Sequence, residues 1–244
     1  MASPLHQFEI QPIVPIELGG IDISITNSAL WMAIAAVTAT AVMVLPVRRG
    51  ALIPGRWQAL SESFYEIIAN MVRDNVGTAG RRYFPFVFTL FMFVLFGNVL
   101  GLIPYTFTYT SHIAVTFSLA AFIFLAVTAI GIVKHGFRFL GLFFPHGAPA
   151  WTAVILIPIE LISYLSRPVS LSVRLFANMT VGHVILKVLG GFVVSLGAFY
   201  AIPGLLPMAG LVAVTALEVM VAVIQAYIFT ILTCIYLNDA LHLH

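Results

Sequence analysis

Long stretches without a charged side chain constrain this sequence more than any other feature. Residues 83–133, 51 positions in a row, contain no Asp, Glu, Lys or Arg. Charged residues make up only 8% of the chain and hydrophobic residues 61%, whereas soluble proteins are roughly 25% charged. So few charges cannot hydrate the surface of a soluble globule. We therefore predict an all-α membrane protein, because a helix satisfies its backbone hydrogen bonds within its own segment in lipid.

The apolar runs predict five transmembrane segments in a single membrane domain, residues 29–244, after an extramembrane segment, residues 1–28. The first 28 residues hold no Lys or Arg, so we do not expect a signal peptide. Between the first two spans, apolar residues recur at helical spacing, which predicts an amphipathic helix on the membrane or against a partner. The predicted helices are 29–47, the amphipathic 55–77, 84–104, 112–133, 151–189 and 205–238.

The fourth apolar segment is too long to cross a bilayer upright. From residue 151 to residue 187 a helix would measure about 55 Å, against a hydrocarbon thickness of roughly 30 Å. Pro158 and Pro168 permit a bend. We predict that the last two segments form a long tilted hairpin. Its loop is expected at Gly190–Pro207, with the turn at Tyr200–Gly204.

Positive charge is distributed unevenly among the loops. Residues 47–82 hold six Lys or Arg and residues 134–150 hold two, whereas the N-terminal segment and the loops 104–111 and 190–207 hold none. This asymmetry predicts that the N-terminus is outside and that the amphipathic helix and the C-terminus are on the cytoplasmic side. No clustered basic face with interleaved aromatic residues is seen, so we do not expect nucleic-acid binding.

No cofactor or metal site is expected. Cys234 is the only cysteine, which excludes a disulfide within the chain and a cysteine-based metal site. Neither a P-loop nor a glycine-rich dinucleotide turn occurs. The chemistry of this chain therefore has to come from polar side chains within its apolar segments.

A polar stripe is predicted along one face of the fourth segment. At 100° per residue, its members lie within about 40° of Arg174. They are Glu160, Ser163, Arg167, Ser170, Arg174 and Asn178. Ionisable residues at membrane depth are costly and are functional by default. Arg167 is close to the cytoplasmic end, where snorkelling to the interface is an alternative.

Arg174 is the member of the stripe whose presence most needs an explanation. Its guanidinium keeps its proton, so it attracts an anion or repels a cation and cannot carry a proton. No carboxylate lies within one helical turn of Arg174, so its anion is expected from another helix or another subunit. A structural ion pair is the alternative.

His183 and Glu218 form a second constellation. In an antiparallel hairpin, facing residues have a nearly constant sum of residue numbers, which puts His183 beside Glu218 and Arg174 near Gln225. An imidazole and a carboxyl group that meet at membrane depth can relay a proton, because both can change charge near neutral pH when burial and pairing shift them. A static hydrogen bond that only packs the two helices is the alternative.

Three motifs resemble the subunit a family of F-type ATP synthases. Residues 166–179, SRPVSLSVRLFANM, resemble its signature, and residues 225–229, QAYIF, and Gly97–Pro104 fit its other patterns. The resemblance covers nearly the whole chain from the first span onward. It implies that Arg174 faces an essential carboxylate on each subunit of the rotating c-ring. It also implies polar channel positions at Asn178 and Gln225 and an acidic cytoplasmic half-channel residue at Glu160.

The resemblance implies a function that is not enzymatic by itself. A subunit of this family conducts protons through two offset half-channels within the ATP synthase complex, with the c-ring, the peripheral-stalk b subunits and the lipid membrane as partners. Many similar bacterial members have an acidic residue at position 183 and a histidine at position 218, so the pair is exchanged here. We expect a bacterial inner membrane, with a mitochondrial inner membrane as the alternative. A secondary ion transporter or channel and a structural membrane scaffold are the alternative functions.

Overall fold

The computed structural model describes residues 10–15, 17, 18, 21, 22, 24–48, 53–103, 106–143, 153–197 and 201–242. Most of these residues belong to six α-helices. The helices are α1 (Asn27–Val47), α2 (Arg56–Val76), α3 (Phe84–Gly101), α4 (Ile113–His135), α5 (Ala153–Gly197) and α6 (Ala201–Leu241). All except α2 are long and apolar enough to cross a membrane. The chain is therefore an all-α, multi-pass membrane protein with the five predicted spans.

Short antiparallel strands precede α1, and nothing in the sequence pattern predicted them. The strands are β1 (Pro12–Val14), β2 (Glu17–Leu18), β3 (Ile21–Asp22) and β4 (Ile25–Thr26). β1 pairs with β4, and β2 pairs with β3. The hydroxyl of Thr26 then accepts a hydrogen bond from the amide of Ala29 at 3.3 Å. This cap satisfies one of the amides that have no partner in the first turn of a helix, and so it fixes where α1 begins.

The last two helices are longer than predicted, and the loop expected at Gly190–Pro207 is wrong. α5 reaches Gly197 instead of residue 189, and α6 begins at Ala201 instead of residue 205, which leaves only residues 198–200 between them. Pro203 lies in the first turn of α6, where the missing amide has no helical partner to lose. In lipid no water can bond a backbone group that a break in the helix leaves unpaired. Helices therefore continue through glycine and proline more often there than in soluble proteins.

The described residues form two compact units. The first combines Met1–Gly50, Met92–His112 and Leu175–Tyr227, and the second combines Ala51–Phe91, Ile113–Arg174 and Ile228–His244. Helices α5 and α6 each contribute one part to each unit. The expectation of a single membrane domain over residues 29–244 stays a prediction.

In the first unit, small and polar residues allow α3 to pack closely. Gly97 lies directly against the side chain of Tyr109, whose hydroxyl donates a hydrogen bond to the carbonyl of Phe93 at 3.0 Å. Asn98 is fully buried, and its amide donates to the carbonyl of Ala222 in α6 at 3.3 Å. A larger residue at position 97 would collide with the tyrosine ring. The sequence Gly97-Asn98 therefore fixes both the outer loop and α6 against α3.

In the second unit, α2 packs its apolar face against α3. The ring of Tyr65 meets the edge of Phe84, with 4.8 Å between the ring centroids. The residues of α2 that are most deeply buried recur at helical spacing, namely Ile68, Met71, Val72 and Val76. Trp57 lies on the same side of the helix as Ile68 by its spacing in the sequence, but it is 71% exposed. The helix buries several of its apolar residues, and an amphipathic helix on the cytoplasmic side stays a prediction.

Candidate functional site

The predicted polar stripe lies on one face of α5, and much of it is uncovered. Ser163, Ser170, Arg174 and Asn178 are exposed, whereas Glu160 and Arg167 are half-buried. The buried side of the same helix is apolar and includes Leu171, Leu175 and Met179. Helix α5 therefore packs its apolar residues into the protein and leaves most of its polar face open.

Arg174 has no anionic partner in the part of the chain that the structure describes. No hydrogen bond and no salt bridge joins its guanidinium to those residues, and its side chain is exposed. A cation at membrane depth needs a counter-charge. The alternative of a structural ion pair is therefore not realised among these residues. The five N–H donors of the guanidinium stay available to a group from another chain.

Arg167, by contrast, is held firmly within the second unit. Its Nη1 atom donates to Oδ2 of Asp239 at 2.9 Å. The guanidinium also lies over two aromatic rings, 5.2 Å from the centroid of Tyr164 and 4.9 Å from that of Tyr236. The hydroxyl of Tyr164 is 2.6 Å from Oγ1 of Thr128 on α4. The ion pair and the contact with Tyr236 join α5 to α6, whereas the contact with Tyr164 lies within α5, and Arg167 does not simply snorkel.

The remaining members of the stripe in the second unit interact little. Glu160 is half-buried and forms no hydrogen bond or ion pair with the described residues. The hydroxyl of Ser170 donates to the carbonyl of Arg167 at 3.1 Å, within its own helix. Ser163 is exposed. Glu160 is therefore a carboxylate whose oxygens are available to protons, water or another chain.

Asn178 and Gln225 lie together in the first unit. Nδ2 of Asn178 donates to Oε1 of Gln225 at 2.8 Å. Gln225 is only 1% exposed, and its Nε2 has no hydrogen-bond partner among the described residues. This bond joins α5 to α6 in the register that the hairpin rule predicted to within one helical turn. Neither N–H donor of the buried Nε2 atom of Gln225 has a partner among the described residues, which indicates an unseen polar group or water.

His183 and Glu218 come close to one another but do not form the direct bond that static packing would need. The carboxylate of Glu218 lies against the backbone of Gly182, is 7% exposed, and accepts no hydrogen bond from the described residues. Nε2 of His183 is instead 3.0 Å from Oγ1 of Thr108 in the outer loop. Thr108 donates its proton to the carbonyl of Gly101 at 3.0 Å, so the imidazole is the donor to Thr108 in this arrangement.

Several buried polar atoms of the first unit lack partners among the described residues. They are Oε1 and Oε2 of Glu218, Nε2 of Gln225, Oδ1 of Asn98, Oγ1 of Thr110 and the side-chain oxygens of Ser28 and Ser111. Buried polar groups are nearly always hydrogen-bonded, and internal water supplies the bond where protein does not. Each of these atoms is therefore suited to bond an internal water molecule. In the described part of the chain, no three His, Cys, Asp or Glu residues could together hold a metal ion.

Sequence reasoning missed Asp239 and Thr108. Asp239 could have been found, because the hairpin rule that faces His183 with Glu218 also brings the end of α6 opposite Arg167. Thr108 is 75 residues from His183 in the chain and lies in an irregular loop, so no periodicity links the two. The only signal for the outer loop was the polar run of residues 106–112 within an otherwise apolar stretch.

Asp239→Asn tests the inner ion pair. We expect the free energy of unfolding to fall by about 1–3 kcal/mol, because Arg167 would keep its partly buried charge without an anion. The side chains are 25% and 30% exposed, so solvent screening keeps the loss below that of a fully buried pair. The measurement is thermal unfolding of the purified chain in detergent. Asp74→Asn is the control, since Asp74 pairs with Arg73 on an exposed surface, and equal losses in both variants would contradict the assignment.

Comparisons with known proteins agree with this geometry. The family model for the ATP synthase A chain matches residues 29–238. The chain is 63% identical to ATP synthase subunit a of Paramagnetospirillum magneticum and 58% identical to that of Rhodospirillum rubrum, in both cases over 100% of each chain. It is 54% identical to the subunit of Parvibaculum lavamentivorans, over 98% of this chain and 94% of the relative. The chain therefore belongs to the ATP synthase A chain family.

Proposed function

We propose that this chain is the stator subunit of a bacterial ATP synthase membrane motor and conducts protons through two offset half-channels to and from carboxylates of a rotating c-ring. The observation that supports this most strongly is Arg174. It is a permanent cation on an apolar helix, it is exposed, and the described residues give it no anion. An anion from a neighbouring subunit would complete it. Family membership makes a ring carboxylate the natural candidate.

The outer half-channel would use the polar groups of the first unit. Protons from outside would reach His183 and Glu218 and continue past Asn178 and Gln225. The carboxylate of Glu218 is buried without a hydrogen-bond donor among the described residues, and binding a proton would remove much of the cost of burying its charge. The imidazole of His183 exchanges protons readily near neutral pH in general. A buried acid beside an imidazole therefore suits a relay, with water bridging the atoms that protein leaves unpaired.

The inner half-channel would end at Glu160. A carboxylate with no protein partner among the described residues is able to receive a proton released by the ring and pass it to the cytoplasm. Ser163 and Ser170 share its helix face and would line the way. Arg167 would support this region as a positioning residue, because its charge is already used by Asp239 and two tyrosines.

Arg174 would prevent the two paths from becoming one pore. A fixed positive charge repels a proton that attempts to pass directly, and it favours the ionised form of a ring carboxylate that faces it. The ring carboxylate would then take a proton from the outer path, rotate through lipid in neutral form, and release the proton on the inner side. Each charge that crosses 100 mV releases about 2.3 kcal/mol, so several protons would be needed for each ATP made elsewhere in the complex.

This function would require the rest of the complex. The chain would have no catalytic activity alone, and it would act beside the c-ring and the peripheral-stalk b subunits in the inner membrane. Proton transport by the purified chain without a ring would instead indicate an independent channel or transporter.

Arg174→Lys tests the main assignment. Lysine keeps the positive charge but loses the planar fork and the reach of the guanidinium. We expect ATP-driven proton pumping to be abolished in inverted membrane vesicles, while the amount of assembled complex changes little, because Arg174 is exposed and forms no hydrogen bond or salt bridge with the described residues. Pumping is measured with a fluorescent pH indicator. Arg56→Lys at the exposed start of α2 is the matched control and should pump normally. Normal pumping by Arg174→Lys would refute the role of Arg174.

Glu218→Gln tests the outer relay. The amide fills the same space but cannot carry a proton, so we expect pumping to fall about tenfold or more. The unfolding midpoint should change little, because the carboxylate makes no hydrogen bond with described residues that the amide could lose. Glu62→Gln on α2, where the carboxylate only bonds Gln58, is the control. A scaffold role predicts the opposite result, with lower stability and undiminished proton flux.

A further inference from the structure

A groove of about 610 Å³ lies in the second unit, and none of its lining residues belongs to the proposed proton path. It is formed by the turn that precedes α3, the last turns of α4 and the end of α6. Its lining consists of Ala79, Arg82, Tyr83, Ala129, Ile130, Val133, Lys134 and Leu241. The groove therefore combines two cations with an apolar wall and a tyrosine.

Lys134 and Arg82 both have N–H donors that are not used by the described residues. Lys134 uses one N–H in a hydrogen bond to the carbonyl of Leu241 at 2.9 Å, which leaves two of its three donors. Arg82 is exposed and forms no salt bridge with the described residues. No acidic residue is among the described residues that line the groove. This end of the groove thus carries two positive charges and attracts an anion.

The remaining wall suits a hydrocarbon chain. Ala129, Ile130 and Val133 follow the outer surface of α4, which is apolar up to Lys134, and Val133 is 87% exposed. Tyr83 stands beside the cations, and tyrosine is enriched where hydrocarbon meets the headgroups of a bilayer. Lys134 lies in the last turn of a long apolar helix. The end of such a helix is expected at the level of the lipid headgroups. The groove therefore has a cationic end beside an apolar wall, in the same order as the anionic headgroup and the acyl chain of a phospholipid.

We infer that this groove binds an anionic phospholipid from the leaflet that faces the cation-rich loops. The headgroup phosphate accepts hydrogen bonds from Arg82 and Lys134, and an acyl chain lies against Ala129, Ile130 and Val133. Basic pockets between transmembrane helices on the cytoplasmic side are suited to acidic headgroups. A free phosphate would leave the apolar wall uncovered, and a zwitterionic lipid would bring a cation of its own beside Arg82 and Lys134. Bound in this way, the lipid joins the start of α3 to the end of α4.

The test compares the charge of the headgroup. The purified full chain is titrated with phosphatidylglycerol or phosphatidylcholine of identical acyl chains, and bound lipid is counted by native mass spectrometry. We expect phosphatidylglycerol to bind more tightly, and the double variant Arg82→Gln/Lys134→Gln to weaken its binding roughly tenfold. Arg48→Gln/Arg56→Gln removes the same charge outside the groove and should change the affinity less than twofold. Equal losses in both variants would overturn the site, since they would show only general attraction to a basic surface.

A second arm separates a lipid from other anions. Ala129→Phe fills the apolar wall without changing charge and should weaken phosphatidylglycerol binding, whereas Ala36→Phe on the exposed side of α1 should not. Millimolar inorganic phosphate should fail to displace the lipid. Displacement by phosphate together with normal binding to Ala129→Phe would identify a free-anion site and refute the proposal. A photo-reactive residue at position 79 in the assembled complex should capture lipid, and capture of a protein there would also refute it.

Discussion

A permanently charged arginine needs an anion in surroundings that contain little water. The arrangement of the polar residues in this chain depends on that need. Arg174 stands on an α-helix of 45 residues that is otherwise mostly apolar. No described residue forms a salt bridge or a hydrogen bond with its guanidinium. The cost of such a charge in lipid is several kcal/mol unless it is paired or hydrated. In the proposed function, a carboxylate of another subunit would supply the anion that the described residues do not.

The comparison with Arg167 makes this dependence informative. The two arginines lie on the same face of one helix, seven residues apart. For Arg167 the chain provides a carboxylate at 2.9 Å and two aromatic rings. The fold can therefore neutralise an arginine on this face where stability alone is needed. The open position of Arg174 is therefore specific to that site, and it agrees with the proposed pairing with a ring carboxylate.

Much of this arrangement could be predicted because lipid simplifies the relation between sequence and fold. Uncharged runs predicted the spans, and a rotation of 100° per residue predicted the stripe. The hairpin rule predicted Gln225 near Arg174, and Gln225 bonds Asn178, which lies one helical turn further along α5. The errors have physical causes as well. Gly190 and Pro207 suggested a long loop because glycine and proline tend to break helices in soluble proteins. There, water forms hydrogen bonds with the backbone groups that the break leaves unpaired. The bond between His183 and Thr108 depends on a loop whose path no periodic pattern encodes.

Photo-cross-linking from the open face of α5 in the functioning complex tests most directly whether Arg174 faces a moving acid. A photo-reactive residue at Ser170, which is exposed on that face, should form an adduct with a small hairpin protein that has a carboxylate within the membrane. The same probe at Leu171, which is 1% exposed, should react only within this chain. If the probe at Ser170 captured lipid alone while the complex pumped protons, Arg174 would have no ring partner and the proposed mechanism would be wrong.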